Sequence, residues 1–276
     1  MKRPTQIADI QRGRLALRSG VLIYAGVLVV LPLAALVQHG LADGLSGLWQ
    51  AATAPVAAQA ILLTLWTAAL MAVVNALMGT LTAWALVRYQ FPGRGLLSAL
   101  VDLPFAIPTL VTGVMLVILL GPQSPLGGWL AGHGVPVIFA PAAIVLALLF
   151  ITMPFVVRAV EPVLMEQDPA EEEAARTLGA GTWTVFWRVL LPPILPAILS
   201  GTIRSFARAL GELGSVIVVS GNIPYRTLTA PIHIFAEIES GQPESAAAVS
   251  VVLLAFALIL AFAARGIEGA TGGHHV

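Results

Sequence analysis

The chain of 276 residues contains no cysteine. That absence excludes disulfides, thiolate nucleophiles and cysteine-ligated zinc, without fixing the redox compartment. Lysine is almost as scarce, standing only at Lys2. A Walker A phosphate loop needs a lysine directly after its glycines to reach the nucleotide phosphates. The body of this chain holds none, so any ATP chemistry belongs to another subunit. Charge is scarce too: Asp, Glu, Lys and Arg make up 10%, against about 25% in ordinary soluble proteins. Fourteen basic and fourteen acidic side chains cancel to a formal net charge of +0, which lacks the basic surface of a soluble nucleic-acid binder.

What is abundant is apolar. Such residues reach 58%, above the usual 45–50% or so, and the mean hydropathy is +0.92. A disordered chain and a collagen are excluded, and too few charges remain to cover so apolar a core in water. The composition implies an integral membrane protein. A bilayer core about 30 Å thick takes about 20 apolar helical residues to cross. Six runs qualify: 19–37, 60–87, 96–120, 141–160, 194–220 and 246–264. The expected fold is therefore an all-α, polytopic membrane protein with six transmembrane helices. The first run is long and lacks a clear small-residue cleavage site, so it reads as an uncleaved helix rather than a signal peptide. The second is long enough to tilt or to extend beyond the lipid. The third is interrupted by Asp102, Pro104 and Pro108.

Basic residues concentrate in cytoplasmic segments of membrane proteins. Here Lys2, Arg3, Arg12, Arg14 and Arg18 precede the first run, and Arg88 and Arg94 follow the second. Arg158 stands at the end of the fourth, Arg176 and Arg188 fall between the fourth and fifth, and Arg265 follows the sixth. Segments 38–59 and 121–140 have no Lys or Arg, and 221–245 has only Arg226. Both termini are expected in the cytoplasm. Gly121-Pro122 and Gly221-Asn222 mark outer turns, and Phe91-Pro92-Gly93-Arg94 an inner one. No linker divides the chain, which reads as one domain, 1–276.

The segment 161–193 is patterned beyond a plain connection. Asp168 can cap a helix with Pro169 in its first turn, and Glu171 sits where a capping box places its acid. Glu171, Glu172 and Glu173 suit the positive end of the helix dipole. Gly179 supplies a left-handed stop. A second short helix is expected through Trp183, Phe186, Trp187, Val189 and Leu190, with Pro192-Pro193 ending it at the membrane. Such a unit is either a docking element or an amphipathic loop lying on lipid headgroups.

The fifth run carries Arg204, Arg208 and Glu212 every four residues, which places them on one helix face. Charges inside a membrane are costly and face a watery interior or each other. Two readings follow. Guanidinium groups line a pathway, their planar donors suiting a tetrahedral dianion; or Arg208 and Glu212 neutralise each other while Arg204 sits near the cytoplasmic interface. Gly201, Gly211 and Gly214 permit close packing or a bend. Asp102 either pairs across helices or lies near the end of its own. His39, His133 and His233 have no ligand-like spacing. No acid, nucleophile or metal set converges, so an enzyme is not expected. A secondary transporter using Arg208 and Glu212 without any ATPase is a rival reading.

Glu173-Ala174-Ala175, three residues, Gly179, nine residues, then Val189-Leu190-Leu191-Pro192 resembles the EAA loop of ABC importer permeases, with Val189 where the family has isoleucine. The resemblance implies that Glu173, Ala174, Ala175, Gly179, Leu191 and Pro192 belong to a coupling helix docking on an ATPase subunit. It extends over nearly the whole chain. Ala83-Trp84-Ala85-Leu86-Val87-Arg88-Tyr89-Gln90-Phe91-Pro92-Gly93, Asp102-Leu103-Pro104-Phe105-Ala106-Ile107-Pro108-Thr109, and Arg208-Ala209-Leu210-Gly211-Glu212-Leu213-Gly214-Ser215-Val216 are similar to sulfate/thiosulfate permeases, especially the T-type subunit. Molybdate and tungstate permeases share the Arg208–Glu212 stretch and are the alternative. The Gly272-Gly273-His274-His275 ending matches no family pattern. The resemblance implies ATP and Mg bound by partner ATPases and no cofactor on this chain. It also implies a second permease, an extracytoplasmic binding protein, surrounding lipid, and a place in the bacterial inner (plasma) membrane. Arg226 is then either a solvated loop charge or a contact to an acidic patch on the binding protein.

Overall fold

The computed structural model describes residues 17–271, and among them every regular element is a helix. Lys2, Arg3, Arg12, Arg14 and the Gly272–His275 ending lie outside the described residues. We number the helices in chain order. α1 is Leu17–Gly40, with a π-helical turn over Gly26–Val30. α2 is Gly44–Thr53 and α3 Pro55–Arg88. α4, Arg94–Ala106, and α5, Thr109–Leu120, meet at 115°. α6 is Pro125–Gly132, α7 Pro141–Glu166 and α8 Pro169–Thr177. α9 spans Thr182–Leu210 and α10 Gly214–Ser220. α11 is Ala230–Glu239 and α12 Pro243–Thr271.

Five helices are long and apolar enough to cross a membrane, and the bent α4–α5 pair makes a sixth if counted as one span. The third run is thus not one helix over 96–120. Pro108 has no N–H to continue the ladder, and a proline pushes the preceding residue out of the helical region. Ile107 accordingly sits at ψ 128° and Pro108 at ψ 134°. The fifth run also departs from expectation at both ends. Below, the helix begins at Thr182 and passes through Pro192-Pro193 rather than stopping there. A π-helical turn over Phe186–Leu190, closed by Leu191 N–H to the Phe186 carbonyl, precedes the prolines. They then occupy a first α-helical turn, where a missing N–H costs little. Above, the helix ends at Leu210, so Glu212 stands on the connecting turn and not on one helical face with Arg204 and Arg208.

α7 is the centre of the bundle, packed between α3 and α9. One apolar cluster joins Leu63, Ala68, Met71, Ile144, Leu148, Ala209, Leu210 and Val216. A second joins Ala83, Leu86, Val101, Val156, Val157, Val160, Leu164 and Ile194. Lipid tails are as apolar as leucine, so membrane helices associate by close packing of small residues. Gly79 and Gly201 serve that end: a Cβ on Gly79 would lie 2.8 Å from Val156 Cβ, and one on Gly201 3.0 Å from the Phe155 carbonyl oxygen. The most apolar stretch of α1 buries nothing in the chain. Large apolar side chains face outward along α1, α3, α5 and α12, among them Leu22, Leu77, Ile118 and Ile259. Such a continuous apolar exterior belongs in a bilayer or against another membrane helix.

Candidate functional site

The loop between α7 and α9 is built as its residues demand. Asp168 Oδ1 accepts from the Ala170 N–H at 2.9 Å, and Pro169 opens α8. Gly179 has φ +86°, and Gly179 N–H to Arg176 O (2.9 Å) with Ala180 N–H to Ala175 O (3.0 Å) completes a Schellman stop. Glu173, Ala174 and Gly179 are exposed and Ala175 half-buried. Beside them Leu178 is 88% exposed, and Trp183 and Trp187 are also open. Exposed leucine and tryptophan around a polar helix tip form a surface that water alone does not favour. Leu191 instead packs against the inner apolar cluster, and Pro192 lies in the foot of α9. The six motif residues therefore divide between an exposed tip and its support.

Sequence reasoning missed the support itself. Arg88, the last residue of α3, sets Nη2 3.0 Å from Glu172 Oε1 and 3.4 Å from Gln167 Oε1. Its guanidinium lies 5.9 Å from the centre of the Trp84 ring, within cation–π range. Glu172 also holds Arg176, at 3.1 Å, and Gln167 Nε2 donates to the Leu190 carbonyl at 3.2 Å. The end of α3 and the loop after α7, far apart in sequence, thus meet at one guanidinium, and no local pattern announces that.

A second charged group ties α7 to α4. Arg158 Nε donates to Asp102 Oδ1 at 2.8 Å and Nη2 to Ser98 Oγ at 3.0 Å, and Nη1 pairs with Glu161. Asp102 therefore pairs across helices. Arg158, at the end of the fourth run in sequence, stands on α7. Higher in the bundle, Asn75 Nδ2 donates to Thr152 Oγ1 at 2.8 Å with Met71 and Ser205 alongside. All four are buried. Such a network costs little only when its groups satisfy one another.

Glu212 is 3% exposed and fully used. Oε2 pairs with Arg208 Nη2 at 2.9 Å, while Oε1 accepts from the Ser215 N–H at 2.9 Å and the Ser215 hydroxyl at 3.0 Å. It caps α10 and neutralises Arg208 at once. Gly214 and Gly113 let α10 lie against α5: a Cβ on Gly113 would stand 2.7 Å from the Ser215 carbonyl oxygen. Gly211 has open space around its Cβ position. Arg204 is exposed on α9, one turn before half-buried Arg208. Arg226 is exposed between α10 and α11. A cleft of about 530 Å³ between the α1–α2 and α11–α12 corners includes His39, Asp43 and Glu244. Among the described residues no three His, Cys, Asp or Glu side chains converge as metal ligands.

Residues 75–270 match the family model described as the binding-protein-dependent transport system inner membrane component. The chain is 44% identical over 247 residues to the "Probable sulfate transport system permease protein cysT" of Nephroselmis olivacea, covering 90% of this chain and 87% of that one. It is 43% identical to the sulfate transport system permease protein CysT of Synechocystis sp. (87% and 84% covered). Against CysT of Escherichia coli K12 the identity is 40%, with 91% of each covered. The fold matches a chain of a bacterial alginate ABC transporter crystallised with its alginate pentasaccharide-bound periplasmic protein. There the TM-score is 0.75 and the identity 20%, with 95% of this chain and 96% of that one covered. Helices that cross a membrane several times and a match over most of the length lead to one conclusion: the chain is a multi-pass membrane protein that belongs to the binding-protein-dependent transport system inner membrane component family.

Proposed function

We propose that the chain is the permease subunit of an ATP-driven importer for sulfate or thiosulfate, working by alternating access. The observation that carries the ATP-driven part is the exposed tip Glu173–Gly179, held rigid by its Schellman stop and flanked by solvent-facing Leu178 and Trp183. A chain whose lysine is confined to Lys2 has no Walker A loop, so the tip docks on separate ATPase subunits that bind ATP and Mg. The cargo rests on the sulfate permeases it resembles at 40–44% identity. An extracytoplasmic binding protein delivers the anion, and a second permease, the same or different, completes the pathway. Arg88, Arg94, Arg176, Arg188 and Arg265 support a topology with the loop and both termini on the cytoplasmic side of a bacterial plasma membrane. Arg204 and Arg208 flank the anion's route, with Glu212 as the counter-charge that keeps Arg208 from trapping a dianion.

ATP-dependent uptake of radiolabelled sulfate by proteoliposomes containing the full complex tests this reading. Thiosulfate should compete and molybdate and tungstate should compete weakly. Competition in the reverse order would reassign the cargo, and uptake without any ATPase subunit would overturn the mechanism.

A further inference from the structure

We infer that Arg88 is the joint through which the loop 161–193 moves α3, an assignment that rests on the permease reading above. Successive residues of a helix point about 100° apart, and α8 uses this at Glu172 and Glu173. Glu173 faces out with the exposed tip, while Glu172 turns inward, its side chain only 12% exposed, onto an Arg88 that is 17% exposed. One helix therefore carries a docking face and, directly behind it, an ion pair to the end of the longest helix in the described chain. Covalently, the loop is fastened only to α7 and α9, and α3 ends far away in sequence. Arg88 adds a charged contact with the loop to the apolar packing of α3 on α7 and α9. It also reaches Gln167 at the end of α7, and Gln167 holds the Leu190 carbonyl in the π-helical turn of α9. Arg88 Nε is buried without a hydrogen-bond partner among the described residues. Force on the outer face of α8 reaches α3 through this pair. Arg88 is a positioning residue and touches neither cargo nor nucleotide.

The test is the ratio of sulfate taken up to ATP hydrolysed, measured on the full reconstituted complex. Arg88→Gln and Glu172→Gln should each lower that ratio about fivefold to tenfold, with the ATPase subunits still co-purifying. The double variant should be no worse than either single one, since both remove the same link. Arg88→Lys, which keeps the charge, should recover part of the loss. A wild-type ratio in Arg88→Gln, additive losses in the double variant, or lost ATPase association at an unchanged ratio would each overturn the joint. Should Arg88→Gln fail to reach the membrane, Glu172→Gln leaves α3 untouched and carries the same test. A wild-type complex that imports no anion on addition of ATP overturns the permease reading and the joint together, and is thereby told apart from failure of the variants alone.

Discussion

Gly179 shows how much one residue can decide. Its φ of +86° costs an L side chain about 1–2 kcal/mol, yet a Cβ there would meet no atom within 4 Å. Space inside the chain is therefore not why the position is bare. Asparagine tolerates the left-handed region, so Gly179→Asn should insert normally and keep the Schellman stop. Gly179→Asp should also reach the membrane in normal amount, but its added charge sits on the exposed tip that we propose docks on the ATPase. Uptake per assembled complex should fall about tenfold, a loss of about 1.4 kcal/mol of coupling. Wild-type uptake by Gly179→Asp would remove the tip from the coupling assignment. The stop at Gly179 was legible because a glycine after an amphipathic turn has a local meaning. The Arg88–Glu172 pair was not, because its halves lie in different elements and nothing periodic connects them. Glu212 was half legible: its spacing from Arg208 announced the pair, while its second use as the cap of α10 depended on where α9 stops.

Among the elements, hydropathy located every membrane-crossing run and proline marked the weak points. It could not say how far the chain turns at each. Pro108 was visible as an interruption, but the 115° between α4 and α5 answers to what α5 then packs on, which is α10. The contact at Gly113 makes this measurable. Gly113→Ala puts a Cβ 2.7 Å from backbone at Ser215, which cannot swing aside as a side chain would. A destabilisation of about 1–3 kcal/mol should follow, read as a lower Tm of the purified complex in detergent. Gly211→Ala, with open space around it, should stay within about 0.5 kcal/mol of the parent. Equal Tm values for the two variants would mean that the α5–α10 contact is not tight. The short helices α2, α6 and α11 went unread because each is too brief for periodicity to rise above its turn residues. Ser124 illustrates this: its hydroxyl caps α6 by accepting from Gly127 N–H at 2.8 Å, inside a stretch whose glycines and prolines signal only a turn.

For the molecule as a whole, the uneven placement of arginine predicts the topology, and the missing cysteines make it testable without background. Thr177→Cys on the loop and Ser46→Cys on α2 are both at exposed positions. A membrane-impermeant thiol reagent added outside intact spheroplasts should label Ser46→Cys and spare Thr177→Cys until the membrane is opened. The opposite pattern would invert the orientation. The family was legible from the loop and the spans because both are local patterns. The way the loop is fastened to the bundle was not, since it depends on contacts between distant segments. α3 gives that fastening its reach. Pro55 stands in its first turn and no proline interrupts it afterwards. From Arg88 at its foot to Thr64, whose hydroxyl accepts from the Ala230 N–H of α11 at 2.9 Å, the axis runs about 36 Å at 1.5 Å per residue. If the proposed joint moves α3, a tilt of about 5° about Arg88 would sweep the level of Thr64 through about 3 Å over that length. A displacement of that size is comparable to a hydrogen bond, so a small rocking motion at Arg88 would suffice to make or break the Thr64–Ala230 contact at the far end.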